Sequence, residues 1–133
     1  MNTILVLDRD KSIADQLKSG LPKKGFEILE GERAGRLKSL VASHSISCVV
    51  LTVTKEKGDG LTVLDEIKRE DPNLPVIVLT QEGEVKPAVE AMKKGAFYCL
   101  QKPVNREHLI MLLEKAVQEI RDGVAALAEV CRK

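Results

Sequence analysis

Short apolar runs alternate with stretches of helical spacing along the whole chain. Ile4–Leu7, Phe26–Leu29, Cys48–Val53, Pro75–Leu79 and Phe97–Leu100 are the strand candidates, Phe26–Leu29 being the weakest. Continuous apolar and β-branched runs of this length are what strands buried on both faces require. Between them, apolar residues recur at steps of three and four. Ile13, Leu17 and Leu21 mark a first helix, Leu37, Leu40 and Val41 a second, and Leu61, Leu64 and Ile67 a third. Val85, Val89 and Met92 mark a fourth, and a fifth and longest runs from Asn105 onward. In each, the apolar row is expected to face the core. A β-α unit repeated five times predicts an α/β fold, a doubly wound parallel sheet with helices on both faces.

Glycine and proline punctuate this pattern. Gly25, Gly31 and Gly95 fall where helices or strands should end. Pro22 should tighten the first helix or end it early, whereas Pro87 lies near the start of the fourth, where a missing N–H costs little. Asp59 and Asn105 are candidate helix caps. No internal repeat, low-complexity tract or linker is visible.

Composition narrows the function classes. The 133 residues suit one domain, and 44% hydrophobic with 31% charged residues is a globular mix. A net charge of +1 gives no electrostatic argument for nucleic acid or an anionic membrane, and 2% aromatics leaves no base-stacking surface. Ser39–Thr54, an uncharged run with His44 and four serines, is too polar to span a bilayer. Asp8 follows too soon for a signal peptide, so a cytoplasmic location is expected. Cys48, Cys99 and Cys131 are odd in number and lack metal spacing, which fits reduced thiols.

Open parallel sheets bind ligands at the carboxyl ends of their strands. The residues just after the strands are Asp8, Arg9 and Asp10, then Thr52 and Thr54, then Thr80, then Lys102 and Pro103. Brought together they make a polar pocket of acids, bases and hydroxyls.

These motifs resemble the response-regulator receiver domain of two-component signalling, the chemotaxis-regulator-like fold. Ile4–Asp10 resembles its first strand with the acidic cluster, and Asp59-Gly60-Leu61 the start of its third helix. Pro75–Thr80 resembles the fourth strand with its switch hydroxyl. Ala91–Ala96 and Leu100-Gln101-Lys102-Pro103 are the most specific matches, and Lys102-Pro103 resembles the family's cis peptide bond. The resemblance implies a flavodoxin-like five-stranded sheet of order 2-1-3-4-5. It covers a domain over 1–121, with 122–133 extending the last helix.

The departures concern the chemistry. The family's phosphoacceptor Asp lies seven residues before the Asp of the Asp-Gly pair, and that position holds Thr52. Arg9 replaces the second acid of the first-strand pair, and Cys99 replaces the switch aromatic. Asp8, Thr80 and Lys102 remain. Acyl-phosphate chemistry needs a carboxylate nucleophile and a divalent cation. Counting Asp8, Arg9, Asp10 and Lys102, the pocket is about neutral, so Mg²⁺ binding is expected to be weak or absent. Arg9 either occupies the former metal position or points to solvent. If buried, the Thr52 hydroxyl needs a partner, for which Lys102 or a water is suited. Lys102 itself pairs with Asp8 or joins Arg9, Thr80 and Thr52 in an anion site.

Leu113, Val117, Ile120, Val124, Leu127 and Cys131 form a heptad-like seam, which either folds onto its own domain or ends in a frayed tail, or serves dimerisation or a signalling helix. The face of the fourth and fifth helices, with Lys86, Glu90, Lys93 and Lys94, resembles the family's partner surface. The expectation is therefore a receiver-like, non-enzymatic module without its phosphoacceptor. It would signal through protein contacts with a sensor kinase or a downstream protein, possible homodimer included, without binding nucleic acid or membrane. The competing readings are phosphoacceptance at a displaced carboxylate (Asp8, Asp10 or Asp59) and small-anion sensing at the former phosphorylation pocket.

Overall fold

The structure is a computed structural model that describes residues 2–8, 12–31, 46–53 and 59–118. The strands are β1 (Asn2–Leu7), β2 (Phe26–Glu30), β3 (Ile46–Thr52), β4 (Val76–Thr80) and β5 (Tyr98–Gln101). The helices are α1 (Ser12–Lys18), α2 (Asp59–Glu70), α3 (Val85–Lys93) and α4 (106–118). The predicted second helix, with Leu37, Leu40 and Val41, lies outside the described residues. So do Arg9, Asp10, Thr54 and the seam residues from Ile120 to Cys131.

All four strand pairings are parallel and the order is β2-β1-β3-β4-β5, as expected. Successive strand residues point to opposite faces, so each apolar run supplies two cores. Ile4, Val6, Cys48, Val50, Ile77 and Leu79 meet Ile13 and Leu17 of α1 and Leu109 and Leu113 of α4. Leu5, Leu7, Val49, Leu51, Val76 and Val78 meet Val63, Leu64 and Ile67 of α2 and Ala91 of α3. This double burial explains why these strands read as unbroken apolar runs.

The local signals act as their chemistry predicts. α1 stops at Lys18, and Leu21–Lys24 form a 3-10 turn with Pro22 near its start. Gly25 closes that turn at φ +86°, a left-handed conformation that favours glycine. The Asn105 carboxamide accepts from the His108 N–H at 3.0 Å and so caps α4. A Cβ on Gly60 would lie 2.8 Å from Val53 Cγ2 and 3.0 Å from Val53 Cα. Only glycine lets the first turn of α2 sit this close to the end of β3.

One expectation needs correction. In α3 the row Val85, Val89 and Met92 faces solvent, while Pro87 and Ala91 are buried. The helix packs through its smaller residues, and spacing alone cannot tell which of its two apolar rows is inward. In α4, Leu113 and Val117 are buried against the sheet, so at these first two seam positions the helix folds onto its own domain, one of the readings the seam left open.

Candidate functional site

The site is built at the carboxyl end of the sheet by the ends of four neighbouring strands, β1, β3, β4 and β5. Leu7 of β1 lies opposite Leu51 of β3, which places Asp8 beside Thr52. Lys102 follows β5, its peptide bond to Pro103 is cis, and its N–H donates to the Thr80 carbonyl at 2.7 Å. That bond ties the lysine's backbone to the end of β4.

One carboxylate oxygen gathers the functional side chains. Asp8 Oδ2 accepts from Thr52 Oγ1 at 2.8 Å and from Lys102 Nζ at 2.7 Å. The Asp8 side chain is 5% exposed, that of Lys102 15%, and Thr52 is buried. A charge-assisted contact of this length in a water-poor setting is a strong one. It is retained because each charge compensates the other, whereas either alone would be costly to bury. The strand-end hydroxyl at position 52 is thereby a donor to the carboxylate.

This differs from the expectation that Lys102 or a water would serve Thr52. Asp8 serves both groups instead. The alignment of β1 with β3 carries that information, and it follows from the two runs only once their register is known. Lys102 takes the pairing with Asp8 that competed with an anion site.

Thr80 belongs to a second, separate contact. It continues the row Val76–Val78, on the side of α2 and α3, whereas Thr52 continues Cys48–Val50 on the other side. The Thr80 hydroxyl donates to the Leu100 carbonyl at 3.5 Å, a long bond. It also faces the Cys99 thiol. Burial pushes the Cys99 pKa up, and the hydrogen bond with Thr80 opposes that rise. Cys99 is therefore a half-buried thiol held mainly in its protonated form. Cys48 is more extreme, wholly buried and pushed up to about 12, chiefly by burial. Tyr98, one step along β5, is exposed.

The exposed large apolar side chains among the described residues are Val85, Val89 and Met92 of α3, Tyr98 of β5 and Met111 of α4. No helix among the described residues is long and apolar enough to cross a membrane.

Comparison with known proteins agrees with this architecture. A putative response regulator, NtrX-like, of Rickettsia typhi is 32% identical over 117 residues, 86% of this chain and 25% of the relative. A receiver domain protein of Clostridium thermocellum superposes with a TM-score of 0.78 at 32% identity, covering 91% of this chain and 98% of that one. The beryllofluoride-activated NtrC4 receiver domain, solved as a dimer, gives a TM-score of 0.78 at 32% identity, over 90% of this chain and 99% of that one. The chain spans about a quarter of the length of the first curated relatives it matches. The family model for the response regulator receiver domain matches residues 4–114. With most of its length matched and the strand order in place, the chain belongs to the response regulator receiver domain family.

Proposed function

We propose that this receiver domain has lost phosphoacceptance and signals by phosphorylation-independent protein contact. The observation that carries this reading is the closed group at the carboxyl end of the sheet. Where the family resemblance places a nucleophilic carboxylate, Thr52 donates its hydroxyl to Asp8. Lys102, which would otherwise meet an incoming phosphoryl group, is already neutralised by the same carboxylate.

The donor set also argues against a resident Mg²⁺. That ion takes near-ideal octahedral oxygen coordination. Here the described strand ends offer one carboxylate, with one oxygen engaged by an ammonium and a hydroxyl. Thr52 could form only a phosphate ester, which lacks the lability of an acyl phosphate. No turnover is assigned to the chain.

The output surface would be the face formed by α3, β5 and α4. Val85, Val89 and Met92 recur at helical spacing on the solvent side, with Tyr98 and Met111 exposed on the adjoining elements. A clustered apolar face of this kind marks protein contact sites. A sensor kinase, a downstream signalling protein or a second copy of the chain is the partner class, the last in line with the dimeric NtrC4 relative. Any transcriptional output would belong to another domain of a longer cytoplasmic protein.

The test is incubation of the chain with acetyl phosphate and Mg²⁺, followed by intact mass. An unchanged mass is expected. A hydroxylamine-labile phosphoryl adduct, mapped to Asp8, Asp10 or Asp59, would overturn the reading in favour of a displaced acceptor. A Thr52→Asp variant serves as comparison. It restores the missing carboxylate and is expected to gain a labile adduct if Thr52 is the main lesion.

A further inference from the structure

We propose that Lys68 is a modification site, a lysine that small acyl thioesters acylate in preference to the chain's exposed lysines. This goes beyond the reading above and does not depend on it. Lys68 lies at the amino end of the sheet, away from Asp8, Thr52 and Lys102.

Lys68 is in the last turn of α2 and sits in a seat of backbone. Its Nζ donates to the Leu74 carbonyl at 2.8 Å and to the Pro72 carbonyl at 3.4 Å, both in the loop leading into β4. Its stem crosses Gly95, in the turn between α3 and β5, where a Cβ would lie 3.5 Å from Lys68 Cε. Lys18, Lys94 and Lys102 are each paired with a carboxylate, at 2.7, 2.9 and 2.7 Å. Among the described residues, the hydrogen-bond partners of Lys68 are the two carbonyls alone.

That difference bears on the protonation state. A carboxylate attracts the ammonium by its charge, whereas a carbonyl accepts from an ammonium or from a neutral amine. A neutral amine has two N–H groups and one lone pair. Two carbonyls can take both N–H groups and leave the lone pair for attack. Lys68 is also half-buried, and burial disfavours the charged form. Its pKa is lowered, chiefly by burial, with Asp71 opposing the shift. Cys48 also acts on it but is a neutral thiol, pushed up to about 12 by burial. A lysine whose charge is disfavoured in this way is an activated nucleophile.

In the step itself, the amine attacks the thioester carbonyl carbon. An amide C–N bond forms, the C–S bond breaks, and the proton lost by nitrogen ends on the departing thiolate. Nothing is oxidised or reduced. The product nitrogen keeps one N–H and no charge, so it serves only one of the two carbonyls. Acylation therefore acts on the loop that seats the buried Leu74 ahead of β4.

The test is incubation of the whole chain with acetyl-coenzyme A across a pH series. Hydroxylamine then strips acyl groups from cysteines, and peptide masses locate the stable amides. Exposed Lys23, Lys86 and Lys93 are internal references. Lys68 is expected to react at least about threefold faster than each of them near neutral pH. Its advantage should shrink as pH climbs through the ordinary lysine range, where amines in general lose their protons. Greater accessibility alone would give a ratio independent of pH. The advantage should also vanish in concentrated urea, which dissolves the seat. The proposal is overturned if Lys68 reacts no faster than the references, if its advantage is the same at every pH, or if the advantage survives in urea.

Discussion

α2 and α3 flank the same face of one sheet and carry similar apolar spacing, yet they use it in opposite ways. α2 turns Val63, Leu64 and Ile67 inward. α3 turns Val85, Val89 and Met92 outward, and it meets the sheet through Ala91. The difference lies in what each helix packs on. α2 follows β3, a central strand whose Val49 and Leu51 are buried, as is Val53 just beyond its end. α3 lies between β4 and the edge strand β5, none of whose residues is fully buried. The larger side chains of α3 thus remain available to another molecule, while those of α2 are committed to the core.

The largest test of this contrast is Leu64→Ala. Leu64 is wholly buried, and truncating such a leucine costs about 2–5 kcal/mol through lost transfer energy and the cavity left behind. Urea denaturation of the variant should show a lower midpoint with an unchanged slope. A loss below about 1 kcal/mol would mean that α2 is as loosely committed as α3.

The next test is Gly60→Ala. The added Cβ would meet Val53 Cα at 3.0 Å and the Thr52 carbonyl at 3.2 Å, backbone atoms that cannot step aside alone. Overpacking of this kind costs about 1–3 kcal/mol. Because the clash is at Thr52, the amide signals of Asp8 and Thr52 should also shift. A stabilised variant with unmoved signals would show that α2 does not press on the site.

How much of this could be read from the sequence differs by level. The strands were legible because burial on both faces writes itself as a continuous apolar run. Asp8, Thr52, Thr80 and Lys102 were legible because strand ends are where such sheets place their chemistry, and the Leu100–Pro103 motif fixed the lysine. The partner of Thr52 was not. It depends on Leu7 facing Leu51 across two strands separated by a long connection, a tertiary fact. The orientation of α3 was hidden for a related reason. Its pattern holds two apolar rows, and only the packing against β4 and β5 chooses between them.

A smaller effect is expected where the two helices touch. Lys94 Nζ lies 2.9 Å from Asp65 Oδ2, an ion pair joining the end of α3 to α2, with side chains 33% and 42% exposed. Such pairs contribute about 0.2–1 kcal/mol and are screened by salt. Lys94→Ala should cost no more than that in dilute buffer and less in about 1 M NaCl. A salt-insensitive loss would assign the contribution to the lysine's aliphatic stem packing on α2 rather than to charge.

The smallest expected effect on stability is the one that most directly separates the two helices. Val89 is 47% exposed, so Val89→Ser removes few protein contacts and should change stability by no more than about 0.5 kcal/mol. The same substitution at a wholly buried valine such as Val78 would leave a cavity and bury a hydroxyl, with a far larger loss. Urea midpoints measured at low and high protein concentration distinguish the two roles available to an exposed apolar row. If a second copy covers Val89, the wild-type midpoint rises with concentration and the Val89→Ser midpoint does not, because only the associated form gains from the covered surface. If a different partner covers it, both midpoints are independent of concentration, and the variant's defect emerges only in binding that partner. A large, concentration-independent loss of stability would instead place Val89 in the core and remove the contrast between the helices.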